Sequence, residues 1–310
     1  MGDEIIYRSI KKNLPWLFKD NYIFELPTHT PMYHIYQQLL YKHRMDVYRN
    51  ADYKFLLGTN ALYTNMIRPL PVWNISLFNS SLIRGTVCLG VGSGVNSKHI
   101  NGYTKALYNR VLSHDFFHSV RDEKTKVMLE GMGFKAINTG CPTLWGISQE
   151  SANAIPDKKS DETIFTLTCN QGDAIRDKYM IDCLLMNYRK VYFWPQNIGD
   201  LEYMKSLCDS KLIGIIPPNV DAYDYFLTNM NVDYVGNRLH GGIFALQHRR
   251  RTIIISIDHR ADNIRESYSI PCIKREALET QLESRINSDW KTNIQGISTT
   301  KIKQWSDQFR

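Results

Sequence analysis

Close cysteine spacing is missing from this chain. Its six cysteines stand at positions 88, 141, 169, 183, 208 and 272 with no CxxC pair, which excludes a zinc ribbon or a dense disulfide framework and reads as reduced thiols. Long apolar runs are missing too. The longest, around Ile253-Ile254-Ile255, falls well short of the about 18 to 20 residues a bilayer-spanning helix needs, and no charged-then-apolar signal segment opens the sequence. The expectation is a cytoplasmic protein with no membrane span. No repeat of about 20 to 50 residues and no heptad tract is visible. Charge is not massed in one sign: 38 Lys and Arg against 31 Asp and Glu give +7, which favours an anionic partner but lacks the dense basic block of a dedicated nucleic-acid binder. What is present is the composition of a folded globular protein, 43% hydrophobic and 22% charged over 310 residues, long enough for two domains at roughly 150 residues each. The 18 Tyr and 6 Trp suit sugar faces, although most such residues in any protein are ordinary core and surface.

From Tyr22 onward, short β-rich runs alternate with segments of helical periodicity, the pattern of parallel sheets covered by helices, so the fold class is α/β. In the first half the pattern predicts strands at Tyr22–Leu26, Lys54–Leu57, Thr86–Gly90, Phe116–Val120 and Ala136–Asn138, with helices near 3–18, 33–49, 102–113 and 122–131. Residues 148–161 lose apolar periodicity and collect Ser, Asn, Asp, Lys and Pro, as a linker does. The second half predicts strands near 163–168, 190–194, 211–215, 233–236 and 252–257, and helices near 173–187, 200–208, 221–229 and 239–248. Two doubly wound domains follow, over 1–150 and 151–297, with a closing helix at 298–310 that returns to the first. Ligands in such sheets bind beyond the carboxyl ends of the strands, so residues just after each strand have the first claim to function.

The segment Val232–Ile257 carries the strongest signal: a strand, a polar turn, a helix opening at about Leu239, then another strand. Arg238 and His240 stand where the strand meets a helix N-terminus, whose unpaired N–H groups and positive dipole end favour an anion. Gly241 and Gly242, poor helix formers in the first turn, suggest a steric requirement such as a ligand close to the backbone. The bland alternative is a satisfied cap, with Asn237 as N-cap and His240 merely packed. Arg121, in Ser119–Glu123, again follows an apolar strand; its bland alternative is a surface pair with Asp122 or Glu123.

Other motifs are weaker. His114-Asp-Phe-Phe-His118 imitates a zinc-protease HExxH but runs into a predicted strand, which spoils the spacing, and no metal is expected there. Gly90-Val-Gly-Ser-Gly94 follows a strand and offers a phosphate cradle, yet lacks the full GxGxxG of a dinucleotide site. His248-Arg-Arg-Arg251 reads mostly as a solvated corner between helix and strand.

These residues resemble the polysaccharide pyruvyl transferase family. Gly2-Asp3-Glu4 resembles its GDE element, Val120-Arg-Asp-Glu123 its VRDE, Gly140-Cys-Pro142 the turn that follows, and Arg238-Leu-His-Gly241 its RLHG. The chain begins at the GDE element, without the strand that precedes it in the family; the glycine turn after Lys54–Leu57 reads Gly58-Thr-Asn-Ala, and Asn237 replaces a common Ser. The resemblance implies two Rossmann-like domains facing across a cleft, similar to GT-B glycosyltransferases, and transfer of pyruvate from phosphoenolpyruvate to sugar hydroxyls as a ketal. It implies catalytic roles for His240, Arg238 and Arg121, and a donor site of Arg121, Asn237, Arg238, Leu239, His240, Gly241 and Gly242. Asp3 and Asn60 fall on the acceptor side. No metal and no cofactor are implied beyond phosphoenolpyruvate as co-substrate. The partners implied are that donor and a sugar acceptor, lipid-linked oligosaccharides included, with peripheral association at the inner membrane face. Two alternatives stay open: a nucleotide-sugar glycosyltransferase of the same architecture, and an inactive glycan-binding homologue.

Overall fold

A computed structural model describes residues 1–33, 35–67, 71–94 and 99–309. Two compact units divide the chain: an N-terminal unit of Ile6–Trp145 with Ser298–Arg310, and a C-terminal unit of Gly146–Ile297 with Met1–Ile5.

In the N-terminal unit, β1 (Lys54–Leu57) pairs in parallel with β2 (Thr86–Leu89), and β3 (His118–Val120) with β4 (Ala136–Asn138). A parallel bridge from Val91 to Val120 links the pairs. The predicted doubly wound sheet is thus realised here as two short pairs. β2 stops at Gly90, whose φ of 66° leaves extended geometry and whose missing side chain makes room for Pro142: a Cβ would lie 2.3 Å from Pro142 Cδ and Cγ. The predicted strand at Phe116 starts two residues later because Phe117 is already engaged: its N–H donates to Gln308 Oε1 (2.8 Å), and its carbonyl accepts from Trp305 Nε1 (2.8 Å) and Gln308 Nε2 (3.0 Å). Trp305, from the helix Thr299–Ser306, is fully buried in a core with Ile6, Leu89, Trp145 and Phe309.

Tyr22–Leu26 is not a strand. Tyr22, Ile23, Phe24 and Leu26 are exposed, and Phe24 packs edge-on to Tyr22 and Tyr48; aromatic β-propensity reflects packing on a sheet, and this segment pairs with none among the described residues. The helix predicted over 3–18 divides into Gly2–Asn13 and Pro15–Phe18, because the residue before proline is pushed out of helical geometry and Leu14 adopts φ −124°, ψ 55°. The helix predicted over 33–49 divides into Ile35–Leu40 and Lys42–Arg49; residue 34 lies outside the described residues.

The C-terminal unit holds β5 (Glu162–Thr166), β6 (Lys190–Phe193), β7 (Ile213–Ile215), β8 (Val232–Gly236), β9 (Thr252–Ser256) and β10 (Cys272–Lys274) in one parallel sheet, ordered β10-β9-β8-β5-β6-β7. This is the doubly wound order of a Rossmann-like fold, with the reversal of direction between β5 and β8. β5, β8 and β9 are buried throughout, as parallel strands covered on both faces are. β10 is too short to announce itself in the sequence. The linker-like stretch after Ile147 opens as a helix, Gln149–Asn153, whose N-cap Ser148 accepts from Ser151 N (3.1 Å); its polar composition is that of a cap and an exposed turn of helix.

Candidate functional site

The point where strand order reverses lies between the ends of β5 and β8, and the two backbones approach closely there. A Cβ on Gly236 would fall 2.4 Å from Thr166 Oγ1 and 2.7 Å from its backbone nitrogen, so only glycine fits. Beyond β8, Asn237 N donates to Thr166 O (3.2 Å) and Arg238 N to Thr166 Oγ1 (3.3 Å). Burial raises the Tyr234 phenol, which stays protonated and donates to Arg238 O (2.9 Å) while lying 2.6 Å from Thr166 Oγ1. Backbone and side chains therefore fix the turn before the helix Leu239–Gln247 begins.

Arg238, not Asn237, occupies the N-cap position, and no side chain caps the helix. The Asn237 side chain is 5% exposed, and it is the one buried carboxamide with both ends unpaired among the described residues. Each unpaired group of this kind costs about 1–3 kcal/mol unless a ligand or water meets it. The satisfied-cap reading of Asn237 is therefore replaced. The first intrahelical bond runs from Gly242 N to Arg238 O (3.1 Å), so the N–H groups of Leu239 and Gly241 precede the ladder. Gly242 has a packing reason: a Cβ would lie 2.6 Å from Ile254 Cγ1, so glycine there seats the helix on the sheet. Gly241 O accepts from Tyr223 Oη (3.0 Å), whose ring stacks on Trp194 at 3.9 Å.

The Arg238 guanidinium is held on two edges. Nε donates to Leu167 O (3.0 Å) and Nη2 to the Asp200 carboxylate. Asp200 is fully buried and also accepts from Cys169 N (3.0 Å) and Gln196 N (3.3 Å). One carboxylate thus ties the loops after β5 and β6 to the arginine after β8. His240 is partly exposed, and the position a Cβ would take on Gly2 lies 3.4 Å from its Nδ1, so the first residues of the GDE element stand beside the RLHG histidine. Asp3 is exposed in the first turn of the helix Gly2–Asn13.

Arg121 belongs to the N-terminal unit and is 8% exposed, so it is no surface residue. Its backbone N donates to Val91 O (3.1 Å), its Nη2 to Asn60 Oδ1, and its Nε lies 3.8 Å from Asp122 Oδ2. Asp122 instead caps the helix Glu123–Glu130, accepting from Thr125 N and Thr125 Oγ1 at 2.8 Å each. The expected pair with Asp122 is present at 3.8 Å, but its arginine is buried rather than at the surface.

Three motifs resolve into structure. In Gly90–Gly94 every backbone N–H is taken: Gly90 N by Ser119 Oγ (2.9 Å), Val91 N by Ser119 O (3.4 Å), Gly92 N by Thr59 O (2.9 Å), Ser93 N by Thr125 Oγ1 (2.8 Å) and Gly94 N by Leu62 O (2.8 Å). None is left to cradle a phosphate. His118 is buried, accepting at Nδ1 from Cys88 N (3.0 Å) and donating from Nε2 to Ser113 O (2.9 Å), and burial lowers its pKa to about 4. Among the described residues no group of three His, Cys, Asp or Glu could hold a metal ion. The corner 248–251 is solvated in part: Arg249 is exposed and His248 and Arg250 are half-buried, but Arg251 is fully buried, paired with Asp233 at 2.8 Å and donating to the carbonyls of Arg285, Ile286 and Ser288.

Sequence reasoning passed over Gln196 and Asp200. Gln196 Nε2 is buried and unpaired, 3.4 Å from the position of a Gly241 Cβ. The rule that strand ends carry function, applied to β6 as it was to β8, points to both.

No curated protein and no solved structure matches the chain. No helix among the described residues is long and apolar enough to cross a membrane. With the model of polysaccharide pyruvyl transferases matching residues 1–259, over which the GDE, VRDE and RLHG elements are distributed, the chain belongs to the polysaccharide pyruvyl transferase family.

Proposed function

We propose that the protein transfers the pyruvyl group of phosphoenolpyruvate to two hydroxyls of a sugar, forming a ketal and releasing phosphate, in the assembly of a cell-surface glycan on the cytoplasmic side of the membrane. The observation that carries this reading is the anion-ready end of the β5/β8 crossing: Arg238 clamped by Leu167 O and Asp200, beside the unpaired Asn237 carboxamide and the start of the helix Leu239–Gln247. Phosphoenolpyruvate carries a carboxylate and a phosphate, and we assign these to guanidinium groups, Arg238 and Arg121, with first-turn N–H groups at Leu239 and Gly241 adding to the former. Arg238 spends two edges on the protein, so it presents a fixed direction rather than a mobile charge.

The chemistry begins with a proton delivered to the methylene carbon, which becomes a methyl group and leaves the neighbouring carbon cationic. One sugar hydroxyl adds there and loses its proton. The carbon–oxygen bond to phosphate breaks, the departing charge being met by guanidinium and N–H donors, and a second hydroxyl closes the ketal. His240 is assigned the proton transfers, because imidazole can both give and take a proton near neutrality.

Incubation with phosphoenolpyruvate and a panel of nitrophenyl and lipid-linked sugars, read by mass analysis, tests the proposal: a product heavier by one pyruvyl group, with phosphate released in equal amount, is expected. Turnover that persists in excess EDTA is expected, since side chains and backbone supply the positive charge. Glycosyl transfer from a nucleotide sugar, or sugar binding with no transfer, would refute the proposal.

A further inference from the structure

Asn60 was expected on the acceptor side, but its setting ties it to Arg121. Gly58 and Thr59 both hold left-handed backbone, at φ 52° and 53°. That conformation is costly for a β-branched residue and persists only where its surroundings impose it. Here the Gly58 N–H is bound to Leu89 O (2.8 Å) and Thr59 O accepts from Gly92 N (2.9 Å). This double turn delivers Asn60 Oδ1 to Arg121 Nη2. Gly92 clears the seat: a Cβ there would fall 2.3 Å from Arg121 Nε, 2.9 Å from its Cζ and 2.7 Å from Asn60 Oδ1. The Asp122 carboxylate has Oδ1 committed to its helix cap and Oδ2 3.8 Å from Arg121 Nε.

We propose that Asn60 is a positioning residue for Arg121: a neutral acceptor that fixes one edge of the guanidinium without cancelling its charge. A carboxylate at the same point would make the bond stronger but would set a second negative charge beside an anionic substrate. The proposal rests on the reading of Arg121 as a donor-binding residue. A strained turn, a glycine seat and a carboxamide then serve one purpose, to keep a buried guanidinium oriented and charged until the donor arrives.

The test is a double-mutant cycle on the full chain, with phosphoenolpyruvate affinity measured by calorimetry in the absence of sugar, and sugar KM measured separately. Asn60→Ala is expected to weaken phosphoenolpyruvate about tenfold, the scale of a hydrogen bond to a charged group. The near-isosteric Asn60→Asp should weaken it at least as much, and carries the test if Asn60→Ala does not fold. In an Arg121→Ala background neither substitution should add more than about twofold, and sugar KM should stay unchanged in Asn60→Ala. Independent multiplicative losses, a raised sugar KM with donor affinity intact, or a lowered Tm with donor affinity intact would each overturn the positioning role. If Arg121→Ala itself binds phosphoenolpyruvate as the wild type does, the donor-site reading of Arg121 fails; if it loses affinity while the Asn60 variants do not, only the role of Asn60 falls.

Discussion

Asp200→Asn probes the construction of the site most directly, because one side chain there serves three donors. Oδ1 accepts from Cys169 N, and Oδ2 from Gln196 N and the Arg238 guanidinium. Asparagine has the same shape but only one oxygen. Its better orientation turns the amide nitrogen toward Cys169, stranding that N–H at about 1–3 kcal/mol, and exchanges a charge-assisted bond to Arg238 for a neutral one, a loss of about 1 kcal/mol. Arg238 is 22% exposed, so water recovers part of the second contribution, and a net loss of about 2–3 kcal/mol is expected, a sizeable share of an ordinary folding free energy. Urea unfolding gives the total, and hydrogen exchange locates it, with faster exchange expected at Cys169 N–H while amides in β9 change only with global stability. A variant within about 0.5 kcal/mol of wild type, with unchanged protection at Cys169, would refute the reasoning that Asp200 ties the three loops together.

His240→Ala should leave the fold intact and lower kcat by at least about a hundredfold, the usual worth of a general acid–base; retention of more than about a tenth of wild-type kcat removes that role. Arg238→Lys and Arg121→Lys should each raise KM for phosphoenolpyruvate despite the conserved charge, since lysine cannot hold both Leu167 O and Asp200, or reproduce the planar contact with Asn60; unchanged KM and kcat in both variants would take the arginines out of the donor site. His118 has a folded pKa near 4 against an ordinary value near 6.5, so the folded state resists the proton that the unfolded state takes up; stability is complete above pH 6.5 and falls toward pH 4. That amounts to about 2 kcal/mol lost between pH 7.5 and 5. Chemical denaturation of His118→Asn should show a flatter pH dependence over that interval, and an identical slope would contradict the assignment.

The sequence by itself determined the elements and the family. Strands such as Lys54–Leu57 and helices such as Leu239–Gln247 were legible because apolar periodicity and punctuation by Gly, Pro and Asp are local properties. The turn after β8 was legible as a site because strand, polar turn and glycine-opened helix are contiguous in the chain. Failures came where contiguity ends. Tyr22–Leu26 has strand composition but pairs with no strand among the described residues, and Phe117 gave its backbone groups to Gln308 and Trp305, nearly two hundred residues away in sequence. Tertiary structure alone decided the rest. It drew Asp200, in the first turn of the helix after β6, onto Arg238 after β8, buried Arg251 against Asp233, and made Gly92 of the apparent phosphate cradle the seat of Arg121. Hydrogen-bond partners and burial depend on which chain segments the fold brings side by side, and local propensity carries no record of them.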